Sequence, residues 1–177
     1  RIILENGDGK DLNLILRMLQ ESSLIDTQQE VEYEAYSLFQ NSNVPVPCLI
    51  KLEQSPEYLG KPFMIMTELE GQAASPFDKE SYNPYQEDIG KQFWTILANI
   101  TNFDISKIQT DSHISRVRSG HHWKQELDYW TGVIREDSIG IEPILEMAIR
   151  YLYKNDPKEP AKLSLVHGDF RSGNFLF

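Results

Sequence analysis

The sequence predicts an α+β fold in which a small sheet with one helix precedes a mainly helical part. Short apolar stretches separated by turn signals fill residues 2–69, around a single helical stretch. Apolar stripes at helical spacing dominate the rest of the chain. The 177 residues suffice for one ordinary domain, or for a small lobe and part of another. We expect a sheet lobe at 1–71, a linker at 72–84 and a helical lobe at 85–177.

The chain opens with two predicted strands. Residues 2–4 form a short apolar strand, and the Asn-Gly-Asp-Gly run at 6–9 is typical of a hairpin turn. Residues 12–19 form the returning strand, whose side chains alternate between two faces. One face carries Leu12, Leu14, Leu16 and Met18, and the other carries Asn13, Ile15, Arg17 and Leu19.

A helix and two further strands complete the predicted first part. Thr27 and Glu30 fit the pattern of a capping box, in which a threonine caps the helix and a glutamate reaches back. The apolar positions of this helix that we expect to be buried are Val31, Ala35, Leu38 and Phe39. The strands that follow are expected at residues 49–53 and 63–69.

The second part contains three predicted helices. Each shows a stripe of apolar residues at helical spacing, and such stripes usually form core. A short buried strand at 163–166 is then expected to lead into His167. The three stripes are Tyr85, Ile89, Phe93, Leu97 and Ile100; Trp123, Leu127, Trp130 and Ile134; and Ile141, Leu145, Ala148 and Leu152.

Charge and cysteine content exclude some classes of protein. Acidic residues outnumber basic ones 27 to 17, which gives a formal charge of −10. That balance argues against binding to nucleic acid or to an anionic membrane surface. The longest apolar runs are well short of the roughly 20 residues that span a bilayer. Cys48 is the only cysteine, so no internal disulfide can form and the cytoplasm is the expected location.

Asp169 and Asn174 are the residues with the clearest chemical pattern. They are five positions apart, between an expected strand and an apolar ending. In loops that transfer phosphate from ATP, an aspartate at this spacing accepts the proton of a substrate hydroxyl and an asparagine helps to hold Mg²⁺. The alternative is a purely structural loop, in which Asp169 caps a turn and Asn174 satisfies loop backbone.

The sequence around this pair resembles a known family. The run HGDFRSGNF at 167–175 is similar to the catalytic loop of the aminoglycoside phosphotransferase and choline kinase family, which has a protein-kinase-like fold. It is most similar to the branch related to the phosphotransferase domain of acyl-CoA dehydrogenase-like proteins. Residues 44–47 and 62–71 resemble two further segments of the family. The resemblance implies an ATP- and Mg²⁺-dependent transfer of phosphate to the hydroxyl of a small molecule.

The same resemblance implies a nucleotide site in the first part. The segment of Met66, Thr67 and Leu69 would offer its backbone to the adenine edge. Arg17 would contact the α- and β-phosphates, and Glu32 would orient it. The family's usual cation at this place is lysine, but a guanidinium can also clamp phosphate oxygens.

Two alternatives to this assignment stay open. Glu30 or Glu34 would replace Glu32 if the helix register were shifted, and Arg17 could instead be a solvent charge at a strand edge. The histidines, His113, His121, His122 and His167, fit no zinc-binding spacing. We expect His167 to brace the catalytic loop.

By the same resemblance, two parts of the active site would lie beyond this sequence. The glycine-rich hairpin over the phosphates would precede Ile2, and a second metal-binding aspartate would follow Asn174. We therefore expect a truncated reading frame with little turnover, whose apolar residues 175–177 could mediate self-association. The alternative is a non-catalytic, kinase-like binding module. The acceptor stays open among aminoglycosides, choline-like amines, homoserine-like amino acids and hydroxyacyl compounds.

Overall fold

The structure is a computed structural model. It describes residues 2–5, 11–18, 29–75, 77–78, 80–109, 111–114, 122–157 and 162–177. The chain forms two compact units, of which one comprises Arg1–Ile114 and Ser164–Phe177 and the other Ser115–Leu163. The predicted linker at 72–84 lies inside the first unit, and the division into lobes at 1–71 and 85–177 stays a prediction.

Four antiparallel strands form one sheet in the first unit. The order in the sheet is β1, β2, β4, β3. In the register of β2 and β4, Leu14 lies opposite Thr67 and Arg17 lies opposite Met64. The α+β prediction is thereby confirmed, although the last strand ends two residues earlier than expected. The strands are β1 (Ile2–Glu5), β2 (Asp11–Met18), β3 (Leu49–Glu53) and β4 (Phe63–Thr67).

The predicted alternation of β2 buries only the centre of its apolar face. Leu14 is 3% exposed, whereas Leu12 and Met18 are 43% and 36% exposed. Leu14 lies opposite strand residues on both sides, Ile2 in β1 and Thr67 in β4, which shield it. The predicted hairpin at 6–9 lies outside the described residues, as does Leu19.

Helix α1 (Gln29–Phe39) packs against β3 and β4. Of its four predicted core positions only Phe39 is buried, and the other three are half-buried. The most buried residue of the helix is instead Gln29, at 1% exposure. Its amide donates a hydrogen bond to the carbonyl oxygen of Arg17 at 2.9 Å, which explains how a polar side chain is accommodated there. Thr27 of the predicted capping box lies outside the described residues.

One apolar cluster connects α1 to the end of the chain. Its buried members are Phe39, Val44 and Ile100, and Ile100 belongs to helix α2 (Gln86–Thr101). The rings of Phe39 and Phe103 meet edge to face, with centroids 5.2 Å apart. Half-buried side chains that pack on the cluster are Leu38, Val46, Ile96, Phe103, Leu165 and Phe170. We call this set the shared core.

The first predicted stripe of the helical part is only partly buried. Ile100 is 6% exposed, whereas Tyr85, which precedes α2, is 64% exposed. The three positions between them are half-buried. The shared core lies against the C-terminal turns of α2, so the first turn of this stripe is left near solvent.

The predicted strand at 163–166 is wrong. No strand occurs in the described segment 162–175, and Val166 is 77% exposed. Leu165 packs on the shared core without belonging to a strand. In the described segment 162–177, an isolated bridge occurs at the end, where Gln72 and Phe177 exchange two backbone hydrogen bonds of 3.1 Å.

In the second unit, α3 (His122–Asp137) packs against α4 (Pro143–Lys154). Thr131 and Ile149 are the buried residues among those described in this unit. The predicted stripes are therefore partly wrong, because Trp130, Ile141 and Leu152 are 55%, 87% and 48% exposed. Thr131 and Ile149 each lie one position after a predicted stripe residue, Trp130 and Ala148. Four other members of the stripes are half-buried: Trp123, Leu127, Ile134 and Leu145. Among the helices of the described ranges, none combines the length and apolarity needed to cross a membrane.

We predict that Phe39→Ala destabilises the protein through the shared core. Phe39 is 6% exposed, and loss of a buried phenyl ring costs about 3–5 kcal/mol because a cavity is left behind. Phe77→Ala is the matched control, since Phe77 is 94% exposed and its loss should change the free energy of unfolding by less than about 0.5 kcal/mol. Urea unfolding measures both, and equal effects would contradict this assignment of the core.

A second prediction concerns Gly71, which lies against the last two residues of the chain. Its φ is +134°, and an added Cβ would lie 3.1 Å from both Leu176 Cβ and the Phe177 carbonyl oxygen. Gly71→Ala should therefore destabilise the protein by about 1–3 kcal/mol. In Gly90, inside α2, an added Cβ meets nothing within 4 Å, so Gly90→Ala should stabilise by about 0.5–1 kcal/mol. Opposite signs in thermal unfolding are expected, and a neutral Gly71→Ala would refute the close approach.

Candidate functional site

The loop at 167–177 is shaped by two glycines with left-handed backbone. Gly168 has φ +85° and Gly173 has φ +90°. An added Cβ at Gly168 would meet nothing within 4 Å, so glycine is required there for its conformation rather than for space. Around Gly173, the Asn174 N–H donates to the Arg171 carbonyl oxygen at 3.1 Å and closes a turn. This turn brings Asn174 back towards Asp169.

Asp169 and Asn174, the two residues singled out by spacing, are in direct contact. The Asn174 amide Nδ2 donates to Asp169 Oδ2 at 2.6 Å and to the Asp169 carbonyl oxygen at 3.0 Å. Asn174 thus satisfies loop backbone, as the structural alternative requires, and also holds the carboxylate in place. The catalytic role of Asp169 and the metal-binding role of Asn174 stay predictions.

Arg171 is a site residue that the sequence reasoning missed. Its Nε donates to Asp169 Oδ1 at 2.8 Å, and its Nη1 donates to the Ser172 carbonyl oxygen at 3.2 Å. Both oxygens of the Asp169 carboxylate therefore have a donor. A cation two residues after the aspartate was the available signal, but the spacing alone does not fix whether two side chains of a loop meet.

Aromatic side chains anchor this loop to α2. The rings of Phe93 and Phe170 have centroids 4.4 Å apart, and those of Phe93 and Phe175 are 5.3 Å apart. His167 meets Phe170 edge to face at 5.2 Å, and its Nδ1 accepts a hydrogen bond from the Asp169 N–H at 3.3 Å. The ring of His167 thus contacts both the backbone and the aromatic support of the loop.

Arg17 and Glu32 form an ion pair between β2 and α1. Arg17 Nη1 lies 2.7 Å from Glu32 Oε1, and the Tyr36 hydroxyl donates to the same oxygen at 3.1 Å. The Glu32 side chain is 17% exposed, whereas that of Arg17 is 48% exposed. Burial, together with the charge and hydrogen bond of Glu32, raises the pKa of Tyr36 to about 12. Tyr36 therefore stays a neutral donor to Glu32 at physiological pH.

The two neighbouring glutamates have other partners. Glu30 Oε1 accepts a hydrogen bond from the Gln54 amide at 3.2 Å. Glu34 accepts hydrogen bonds from Ser112 and from His113. Glu32 is accordingly the member of the three that pairs with Arg17.

Gln29 supports the Arg17 backbone and was also missed from sequence. Its Nε2 donates to the Arg17 carbonyl oxygen at 2.9 Å, so it fixes the end of β2 to the start of α1. Within the described residues, the buried atoms Gln29 Oε1 and Glu32 Oε2 have no hydrogen-bond partner. Such atoms cost about 1–3 kcal/mol each. Near Arg17, the chain thus keeps two polar side chains buried although their unpaired oxygens lower the stability of the fold.

The segment of Met66, Thr67 and Leu69 lies at the end of β4. Met66 is 8% exposed and lies opposite Ile15 of β2. The Thr67 N–H donates to the Cys48 carbonyl oxygen, and the Cys48 N–H donates to the Thr67 hydroxyl, both at 2.9 Å. The hydroxyl thus takes the N–H that a regular antiparallel pair would direct at the Thr67 carbonyl oxygen. Leu69, two positions later, is 42% exposed.

Metal ligands in the described part of the chain are sparse. No group of three or more His, Cys, Asp or Glu side chains there could hold a metal ion. Asn174 directs its amide nitrogen at Asp169, which leaves Oδ1 as its atom for a cation. Mg²⁺ takes oxygen ligands and is commonly held by one or two carboxylates together with substrate phosphates and water. A carboxamide oxygen fits as one further ligand, as an asparagine of the catalytic loop does in kinases.

Curated proteins that match this sequence are considerably longer than it. It is 26% identical to acyl-CoA dehydrogenase family member 10 of Mus musculus, over 94% of this chain and 16% of that protein. It is 27% identical to the acyl-CoA dehydrogenase-like protein IBR3 of Arabidopsis thaliana, over 99% of this chain and 22% of that protein. Family member 11 of Homo sapiens is 22% identical, over 90% and 20% respectively. The chain therefore spans about a fifth of the curated relatives it matches.

A solved structure shares the fold. It is a Ralstonia eutropha protein assigned to the aminoglycoside phosphotransferases, and it matches with a TM-score of 0.67 and 20% identity. The match covers 96% of this chain and 49% of that one. The expected kinase-like fold is confirmed by this match. A family model described as the phosphotransferase enzyme family matches residues 5–177. With nearly its whole length matched, the chain belongs to the phosphotransferase enzyme family.

Proposed function

We propose that this chain carries the nucleotide-binding sheet and catalytic loop of an ATP-dependent phosphotransferase that acts on the hydroxyl of a small molecule. The observation that carries the proposal is the 2.7 Å ion pair between Arg17 and Glu32. It joins a strand to a helix 15 positions later in the sequence, so local structure does not impose it. The chain belongs to the phosphotransferase family, and in kinase-like phosphotransferases a cation held by a helix glutamate contacts the nucleotide phosphates.

Arg17 is suited to clamp phosphate. A guanidinium has five N–H donors in a planar fork, and Glu32 engages only one of its nitrogens. The half-exposed side chain can direct the remaining donors at the α- and β-phosphate oxygens. Ion pairs with exposed members contribute about 0–1 kcal/mol to folding. The loss of Arg17 should therefore be felt mainly in nucleotide affinity.

The end of β4 is suited to the adenine edge. Adenine presents one N–H donor and one ring-nitrogen acceptor along that edge. The Cys48 N–H bonds to the Thr67 hydroxyl rather than to the Thr67 carbonyl oxygen, so this carbonyl oxygen can act as the acceptor for adenine. The Leu69 N–H can act as the donor. The N–H groups of Thr67 and Glu68 already bond to Cys48 and Asn13 within the sheet. Leu69 is thus the donor that this segment has to offer.

Asp169 is suited to accept the proton of the substrate hydroxyl. In the proposed step the hydroxyl proton passes to a carboxylate oxygen, the hydroxyl oxygen bonds to the γ-phosphorus, and the bond to the bridging oxygen of ADP breaks. Each carboxylate oxygen has one donor, Arg171 Nε at Oδ1 and Asn174 Nδ2 at Oδ2, and each keeps a lone pair for the hydroxyl. Oδ1 is the more accessible of the two, because the Arg171 side chain is 58% exposed whereas Asn174 also bonds to the Asp169 backbone.

Asn174 Oδ1 is the atom of this loop that would hold Mg²⁺. When bound, this ion neutralises charge on the β- and γ-phosphates.

A cytoplasmic location and a small-molecule acceptor complete the proposal.

We predict that ATP with Mg²⁺ stabilises the chain and that Arg17→Gln removes most of this effect. A ligand at 100 times its Kd stabilises a folded protein by about 2.7 kcal/mol through mass action. Arg135→Gln is the matched control, since Arg135 also pairs with a glutamate, Glu146 at 3.2 Å, but lies in the second unit. Thermal unfolding with and without nucleotide should show a shift for the wild type and for Arg135→Gln.

Two results would count against the proposal. Equal nucleotide shifts in Arg17→Gln and in the wild type would show that Arg17 does not clamp phosphate. The absence of any shift in the wild type at millimolar nucleotide would favour the non-catalytic, kinase-like module instead.

A further inference from the structure

We propose that Glu34 is a positioning residue, which together with Ser112 and His113 holds α1 in the orientation that the Arg17–Glu32 pair needs. The inference rests on the proposed function, because the pair is assigned there to the nucleotide phosphates. It adds to that function a contact outside the nucleotide site and a dependence on pH. Neither follows from the spacing of the site residues.

Three hydrogen bonds define this contact, which we call the Glu34 clamp. The Ser112 hydroxyl donates to Glu34 Oε2 at 2.6 Å, and the His113 N–H donates to the same oxygen at 2.8 Å. The ring of His113 places Nδ1 at 2.7 Å from Glu34 Oε1. Ser112 and His113 are 78 and 79 positions away from Glu34 in the sequence. The clamp therefore joins α1 to a distant segment of the first unit.

The geometry of the helix makes this contact relevant to Glu32. Successive residues on an α-helix are about 100° apart, so Glu32 and Glu34 point about 200° apart around the axis. Glu32 faces Arg17 of β2, and Glu34 faces the segment of Ser112 and His113. The helix is held from two sides. A rotation of α1 that breaks the Glu34 clamp would also move Glu32 relative to Arg17.

The charges of the clamp reinforce each other. Burial raises the pKa of Glu34, but the hydrogen bonds from Ser112 and His113 outweigh it and hold that pKa below 4.5. The hydrogen bond to Glu34 raises the pKa of His113 above 6.5 against the effect of desolvation. Glu30 on α1 and Asp111 in the neighbouring segment add negative charge that acts in the same direction.

The clamp should therefore weaken as pH rises. A histidine whose pKa is raised on folding contributes stability that is fully present below 6.5 and is lost as pH passes through the raised value. The contribution of Glu34, whose pKa is lowered, is present above 4.5 and is lost only in more acidic solution. Between these limits the ion pair is complete. Above the pKa of His113, the hydrogen bonds from the Ser112 hydroxyl and the His113 N–H remain.

The test measures MgATP affinity by calorimetry between about pH 6 and 8.5, together with hydrogen-exchange protection of the α1 amides. Glu34→Gln should weaken affinity by about 5-fold to 20-fold and lower the protection of α1. His113→Gln should remove the pH dependence of MgATP affinity that arises from the protein. The pH dependence that remains in this variant arises from the titration of ATP itself. Glu87→Gln is the matched control, because Glu87 pairs with Lys91 on α2 at 2.9 Å and should leave both readouts unchanged.

The outcomes separate this inference from the proposed function. If the wild type binds no MgATP, the proposed function fails and the inference fails with it. If the wild type binds and Glu34→Gln matches it in affinity and in α1 protection, only the inference is overturned. A uniform loss of affinity in Glu34→Gln, with the pH profile of His113→Gln still that of the wild type, would also overturn it.

Discussion

The shared core is the constraint on which the proposed site depends. Phe39 ends α1, the helix that carries Glu32, and Phe170 directly follows Asp169 in the loop at 167–177. Both rings belong to the same apolar cluster, around Phe39, Val44 and Ile100. Protein interiors are close-packed, so a shift of one element in such a cluster is transmitted to the others. The position of the loop is therefore set by the packing that also sets the position of α1.

The polar contacts of the site are secondary to this packing in energy. Arg17 and Arg171 are both about half exposed, and ion pairs of that kind add little to folding. Their value lies in orientation. With Glu32 engaged, Arg17 is held near its carboxylate, which would lower the ordering cost of the proposed nucleotide binding. The unpartnered buried oxygen of Glu32 is consistent with a site that favours orientation over stability.

Local periodicity predicted the strands of the sheet, but it predicted the buried faces of the helices only in part, and the strand it predicted at 163–166 does not form. The alternation in β2, the four strands and the spacing of Asp169 and Asn174 could all be read from short windows, because glycine turns and strand pleats have fixed geometry. The burial of Gln29 could not, since it depends on the position of the Arg17 carbonyl oxygen. The seam between α3 and α4 could not either, because many apolar residues of these helices are exposed.

The central claim is that Glu32 acts on nucleotide through Arg17. A double-mutant cycle of Arg17→Gln and Glu32→Gln, read out as MgATP affinity, tests it most directly. If Glu32 orients the guanidinium, the second substitution adds little once the first is present, and the coupling free energy should be about 0.5–3 kcal/mol. Additive losses within about 0.3 kcal/mol would show that the two residues affect nucleotide independently and would contradict the account.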